Sequence, residues 1–261
     1  MTLKSPSPAL LRESAVFAER LLTRWLRHPL VPLQSLLFPT ILLFVYYMLV
    51  STSMTRLTGN DRLGVVVAMC ALAGGMSGSL AAASSMPAER DSGLLSRFWT
   101  MPVTRASALA GTLAAEALRT LVATAVITLV GVALGLRIHG GIIAALAFIA
   151  IPVLWVTTYA LVVVAVALRF ESRTILNWFS TLPLGLVFGS SAVAPIDLFP
   201  TWTRAVVRAQ PMTPTIEAMT SLARGEVPAV PLALSLAWMT LIGFAVGTYA
   251  LRVYRRAAQT G

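Results

Sequence analysis

The chain has 261 residues, 57% of them hydrophobic and 11% charged, against roughly 25% charged in a soluble domain. This excludes an ordinary soluble globular protein and identifies a polytopic integral membrane protein, all-α because its apolar runs have helix-spanning length. Twenty Lys+Arg against ten Asp+Glu leave a net charge of +10, which in a soluble chain would suggest nucleic acid; here the placement of the arginines around the apolar runs accounts for it, and no nucleic-acid partner is expected.

Other function classes fall on single residues. Lys4 is the sole lysine, so the Gly-Lys-Ser/Thr of a phosphate-cradling Walker A loop does not occur and any ATP is bound elsewhere. Cys70 is the sole cysteine and lies inside an apolar run, which excludes an internal disulfide or a cysteine metal site. His28 and His139 lie far apart, so no metal site and no cofactor are expected in this chain. The first apolar run begins near Leu30 and is long enough to span, unlike the short core of a cleaved signal peptide.

In chain order, residues 10–27 read as an amphipathic helix. Leu11, Ala15, Ala18, Leu22, Trp25 and Leu26 share one face, and Arg12, Glu13, Arg20, Arg24 and Arg27 the other. Such a helix lies in the membrane interface, arginines toward anionic headgroups and Trp25 at headgroup depth. Residues 1–29 are therefore expected as a cytoplasmic amphipathic segment, residues 30–252 as one six-span domain and 253–261 as a cytoplasmic tail.

Six runs meet the roughly 20 apolar residues that a span requires: 33–54, 63–86, 112–136, 142–168, 175–194 and 230–251. With the N-terminus inside, the inner segments hold thirteen basic residues (Lys4, Arg12, Arg20, Arg24, Arg27, Arg90, Arg97, Arg105, Arg169, Arg173, Arg252, Arg255 and Arg256) and the outer loops six (Arg56, Arg62, Arg137, Arg204, Arg208 and Arg224). The positive-inside rule then places both termini in the cytoplasm of a multi-pass inner-membrane protein. Gly74/Gly78, Gly131/Gly135, Gly185/Gly189 and Gly243/Gly247 have the spacing that lets membrane helices approach closely, within the chain or against a second copy. Pro152 and Pro183 are expected to kink their spans without ending them, since apolar sequence continues on both sides.

Between the second and third runs lies a charged segment, E-R-D-S-G-L-L-S-R-F-W-T-M-P-V-T-R, from Glu89 to Arg105. Leu94, Leu95, Phe98 and Trp99 fall on one side of a helix and Arg90, Ser96 and Arg97 on the other, while Glu89 and Asp91 suit its positive end and Pro102 stops it. Near the start of the third run, Glu116 and Arg119 are spaced to pair on one helix face. They read either as an interfacial charge pair or as polar groups facing a cavity or the charged segment. The last loop, 195–228, is too polar to span, yet keeps Ile196, Leu198, Phe199, Trp202, Val206 and Val207; short amphipathic helices lying on the outer membrane surface are expected there.

These stretches resemble type 2 ABC exporter permeases, most nearly the daunorubicin/doxorubicin-resistance-type permeases. The resemblance rests on Glu89, Arg90, Gly93, Leu94, Leu95, Pro102, Thr104 and Arg105, with Asp91 where Glu is usual, and on Glu116-Ala-Leu-Arg-Thr. On the other side it rests on A-P-I-D-L-F-P-T-W and Q-P-M-T-P-T-I-E-A-M-T-S-L-A-R-G, in which Pro195, Pro200, Trp202, Pro211, Thr213, Glu217, Ala218, Met219 and Gly225 match. The family commonly has Arg where Thr220 stands, a departure that leaves the role of that basic position open, though Arg224 could substitute locally. The resemblance implies that Glu89, Arg90, Asp91, Gly93, Leu94, Leu95, Phe98, Pro102 and Arg105 form a cytoplasmic coupling helix that sits on a separate ATPase. It implies outer re-entrant helices carrying the second motif.

The function implied is that of the membrane-spanning permease subunit of an ATP-driven exporter of amphipathic drugs, antibiotics or lipid-like substrates, itself not an enzyme. Two cytoplasmic ATPase subunits would carry ATP and Mg, and a second permease copy or a homologue would complete the pore among membrane lipids. A non-transporting assembly or sensor subunit would keep the same helices and the same segment, so that alternative stays open. A membrane enzyme is disfavoured because no paired carboxylates, Ser-His pair or His cluster appear.

Overall fold

The computed structural model of the chain describes residues 15–16, 18–19, 21–23, 25, 27, 30–53, 62–79, 105–169, 173–192, 196 and 199–257. Among them the chain is helical and has no strand. After helical residues between 15 and 27 come α1 (Leu30–Ser53), α2 (Arg62–Gly78), α3 (Arg105–Ala133), α4 (Gly141–Arg169), α5 (Arg173–Phe188), α6 (Thr201–Ala209), α7 (Met212–Arg224) and α8 (Ala229–Ala257). Leu109–Ala133, Gly141–Ala167 and Ala229–Tyr249 are long and apolar enough to cross a membrane. The 27 residues of Gly141–Ala167 rise about 40 Å against a hydrocarbon core of about 30 Å. Leu63–Gly78 and Thr174–Phe188 are apolar but shorter.

The described ends differ from the expected ones for physical reasons. The third helix covers Arg105–Ala133 in place of 112–136. Its C-terminus is a Schellman turn, with the Leu136 N–H donating to the Gly131 carbonyl at 2.9 Å and the Gly135 N–H to the Val132 carbonyl at 3.0 Å. Gly135 takes φ 110, a conformation that a Cβ disfavours. Gly135 therefore ends the helix and does not extend a packing seam from Gly131. The fifth helix stops at Phe188, short of 194, where Gly189 and Ser190 turn the chain. The helices do continue through Pro152 and Pro183, and through Pro39 as well. Pro183 has no N–H to offer the Phe179 carbonyl one turn earlier; the Tyr159 hydroxyl donates to that carbonyl instead and ties α4 to α5.

α2 is the axis of the bundle, touching α1, α3, α4, α5 and α7. Lipid tails are as apolar as leucine, so its packing depends on close backbone approach rather than on removal of apolar surface from water. Gly74 faces the Pro39 ring of α1, Gly75 lies between Val156 and Thr120, Gly78 faces the Arg119 guanidinium, and Gly131 of α3 faces Val67. These contacts are internal to the chain. Gly185, Gly243 and Gly247 meet nothing within 4 Å. α8 is peripheral, and its outward Leu241 and Phe244, like Ile41 and Phe44 of α1 and Leu129 of α3, present an apolar exterior.

Two segments sit deeper than expected. Trp25 and Leu21 are buried against Ala115 of α3, with Ala18 and Leu22 beside them, so this face of the N-terminal helix packs on protein and Trp25 is not a headgroup anchor. Ala115 supplies the flat seat for the indole ring. α7, expected on the outer surface, is an inner element: Met212–Ile216 and Ala218–Ser221 are buried, packed against α2, α4 and α8. Its polar positions are mostly Thr and Ser, whose hydroxyls can bond back to the helix carbonyls, as Thr215 does to Pro211 and Thr220 to Glu217, so burial leaves them satisfied. Only α6 keeps an exposed amphipathic character, with Trp202 and Val206 outward and Val207 buried.

A Cβ on Gly75 would approach Val156 Cγ2 to 2.6 Å. Gly75→Val is therefore expected to cost about 1–3 kcal/mol by overpacking, seen as a lowered thermal midpoint of the detergent-purified chain. Gly243→Ala, which meets open space, is expected to leave the midpoint unchanged or raise it by the helix propensity gained, up to about 1 kcal/mol. Equal losses for both would contradict α2 as the packing axis.

Candidate functional site

Two polar clusters interrupt the apolar bundle. The first lies where α2 ends. Glu116 is 0% and Arg119 7% exposed, so the pair is interior and the headgroup-facing reading is set aside. Arg119 Nη2 and Nε donate to Glu116 Oε2 at 2.7 and 3.1 Å, and the same Nη2 donates to the Gly75 carbonyl at 2.9 Å. Gly75 belongs to the last turn of α2, whose carbonyls lack a partner further along the helix. The Ser79 N–H goes to Met76 at 3.1 Å, and the Ser79 hydroxyl reaches Gly75 only at 3.4 Å. Arg119 is thus a C-terminal cap for α2 supplied by α3, its cation set at the negative end of the helix dipole.

Each part of this cluster requires the others. A lone buried guanidinium would carry a large desolvation penalty, and Glu116 offsets it by making the pair neutral. Gly78 has no side chain, and a Cβ there would collide with the guanidinium. The described chain leaves α2 at Ser79 and re-enters at Arg105, so the cap grips the last turn before segment 80–104. Glu89, Arg90, Asp91, Gly93, Leu94, Leu95, Phe98 and Pro102 lie outside the described residues. Arg105 is the first residue of α3 and continuous with it.

The second cluster joins the end of α5 to α6 and α7. Gln210 Nε2 donates to the Gly189 carbonyl at 2.7 Å and to Thr213 Oγ1 at 3.3 Å. Thr213 Oγ1 also accepts from Ser191 N at 3.4 Å and donates to the Val207 carbonyl at 2.6 Å. Ser191 Oγ donates to Glu217 Oε1 at 3.1 Å. Deeper in the bundle, Trp155 Nε1 of α4 donates to Ser235 Oγ of α8 at 2.9 Å, and Ser235 Oγ shares a 2.8 Å bond with Thr215 Oγ1 of α7. This three-helix tie was missed in the sequence; its only signal was a tryptophan and small hydroxyls within apolar runs.

Of the outer-motif residues, Thr213 and Glu217 enter the network, Pro200 precedes α6, and Pro211 precedes α7. Trp202 is exposed, and Pro195 lies outside the described residues. Gly225 ends α7 at φ 81. Thr220 is buried, whereas Arg224 extends from the exposed end of α7 to Glu226 at 3.0 Å, so it does not occupy the place of Thr220. Its hydrogen bond holds the Glu226 carboxyl below the usual range, a surface pairing of little consequence for stability. The α3–α4 turn meets this end, the His139 N–H donating to the Ala223 carbonyl at 2.8 Å.

The described bundle is helical and apolar-surfaced, and its polar groups serve as helix caps and interhelix ties. Residues 13–223 match the ABC-2 type transporter family, and the chain belongs to that family. It is a permease of the ABC transporter type. It is 31% identical over 239 residues, 92% of this chain and 87% of the relative, to a protein named as a doxorubicin resistance ABC transporter permease, DrrC, in two strains of Mycobacterium tuberculosis. It is also 27% identical over 217 residues, 79% of this chain and 72% of the relative, to ycf38 of Cyanophora paradoxa, named as a transport permease.

Removing the Ser235 hydroxyl would leave the buried Trp155 N–H without its acceptor. Ser235→Ala is expected to cost about 1–3 kcal/mol, and less than half as much in a Trp155→Phe background, where no donor is orphaned. Thermal unfolding of the four proteins measures this. Equal costs in both backgrounds would contradict the tie.

Proposed function

We propose that this permease is the membrane half of an ATP-driven exporter that moves amphipathic drugs, with doxorubicin as the test compound, out across the cytoplasmic membrane. The observation that carries the reading is the Arg119 cap: it fixes the α2 turn from which segment 80–104 departs, so movement of that segment is transmitted to the α2–α3 seam. Segment 89–105 is the coupling helix, with Glu89 and Arg90 toward an ATPase, Asp91 and Gly93 shaping its start, and Leu94, Leu95 and Phe98 forming its packing face. Pro102 ends it, and Arg105 opens α3. Two ATPase subunits hold the ATP and Mg, and a second permease copy or homologue faces the outward glycines of α8.

In this reading residues 1–29 are the cytoplasmic amphipathic segment, 30–252 the six-span permease domain and 253–261 the cytoplasmic tail. α1 to α5 and α8 are the spans of an inner-membrane protein with both termini inside. α6 and α7 are the re-entrant outer elements, held by Thr213 and Glu217. The outward exposure of Leu129, Leu241 and Phe244 supports a lipid-facing exterior, and the relative named for doxorubicin resistance supports the permease reading.

Inside-out vesicles containing the chain and its ATPase subunits should accumulate doxorubicin in an ATP-dependent manner. Glu89→Ala/Arg90→Ala should insert normally and lose accumulation at least several-fold, because exposed charges contribute at most about 1 kcal/mol to folding. ATP hydrolysis by the complex without movement of any amphipathic compound would instead indicate a non-transporting assembly or sensor subunit. Labelling of Arg97→Cys, and not Arg208→Cys, by an impermeant thiol reagent in intact Cys70→Ala cells would reverse the proposed orientation.

A further inference from the structure

α5 is divided by its own sequence into two pieces. Pro183, buried within the helix, lacks the N–H that would bond the Phe179 carbonyl, so the backbone ladder is broken between residues 179 and 183. Inside a bilayer such a carbonyl has to be satisfied within the protein. The Tyr159 hydroxyl of α4 does this. Tyr159 is 7% exposed, and phenylalanine would fill the same space, so its hydroxyl is accounted for by that acceptor. Gly185, just beyond the break, meets nothing within 4 Å and adds backbone freedom there.

The two pieces are fastened to different parts of the bundle. The first, 173–182, begins shortly after α4 ends at Arg169 and sets Leu176 in the core. The second, 183–188, sets Val187 there and leads into Gly189 and Ser191, whose carbonyl and hydroxyl bond Gln210 and Glu217 beside and within α7. α5 packs chiefly along α2 and only lightly on α4, so α4 bears on it at few places, of which the Tyr159 bond is one. We propose that α5 hinges at Pro183 and that Tyr159 is the latch of the hinge. With the bond made, the last turn of the first piece is pinned to α4 and α5 behaves as one rod. With the bond broken, the first piece tilts about Pro183 while the second stays with α6 and α7. Tyr159 is thus a positioning residue for a joint on the far side of α2 from the Arg119 cap's partner helix α3. The joint goes beyond the export reading and does not depend on what the permease carries.

Hydrogen–deuterium exchange of the purified full chain in lipid nanodiscs, read at the amides of residues 177–187, tests this in four proteins: wild type, Tyr159→Phe, Pro183→Ala and the double variant. Tyr159→Phe should speed exchange there about fivefold, the size of one lost hydrogen bond, and leave α7 and residues 66–73 of α2 unchanged. Pro183→Ala restores the missing N–H and should slow exchange below wild type. In that background the effect of Tyr159→Phe should shrink to about twofold or less, because the carbonyl is no longer orphaned. No rise at residues 177–187, a uniform rise throughout the bundle, or the same rise in both Pro183 backgrounds overturns the latch. Should Tyr159→Phe fail to fold, wild type and Pro183→Ala alone decide the hinge, and equal exchange at residues 177–187 in those two overturns it.

Discussion

The hydrogen bond from Arg119 Nη2 to the Gly75 carbonyl, 2.9 Å long, joins α3 to the last turn of α2. Within a membrane the last carbonyls of a helix have no water to turn to, and α2 ends inside the protein. Glu116 keeps the arginine neutral as a pair, Gly78 gives it room, and Ala115 on the adjoining face seats Trp25. The N-terminal helix, α2 and α3 are thereby held together at the end from which segment 80–104 departs.

At the opposite end the chain uses weaker and more distributed bonds. Hydroxyls of Ser191 and Thr213, with Gln210 and Glu217, join the end of α5 to α6 and α7, while Ser235 of α8 links Thr215 of α7 to Trp155 of α4. Hydrogen bonds of this kind between membrane helices contribute around 1 kcal/mol each, so the fold holds α7 by several small ties where the end of α2 takes one charge-assisted bond from Arg119. In the proposed export reading, the end of α2 is gripped beside the coupling segment, while α7 is held by weaker ties.

How far the residues foretold this depends on the range of the interaction. The apolar runs gave α3, α4 and α8, because span length is a local property. The three-residue spacing of Glu116 and Arg119 gave their pairing, since both lie on one turn. Neither the burial of the pair nor its capping role was legible, because the acceptor is a backbone carbonyl 44 residues away on a helix whose end had been expected at residue 86. Gly131 and Gly135 share a packing motif in sequence but divide between packing and helix termination, a distinction made by the φ 110 of Gly135. α7 reads as an interfacial amphipath until the back-bonding of its threonines makes it fit to be buried.

Arg119 secures the exit of α2. Hydrogen–deuterium exchange of the purified chain in nanodiscs, followed at the amides of residues 72–79, tests it most directly. Arg119→Met should raise exchange in that last turn several-fold as the uncapped helix frays, leaving α7 unchanged, and Arg119→Lys should restore part of the protection. Unaltered exchange at residues 72–79 in Arg119→Met would contradict the cap and separate the α3 charge pair from the end of α2.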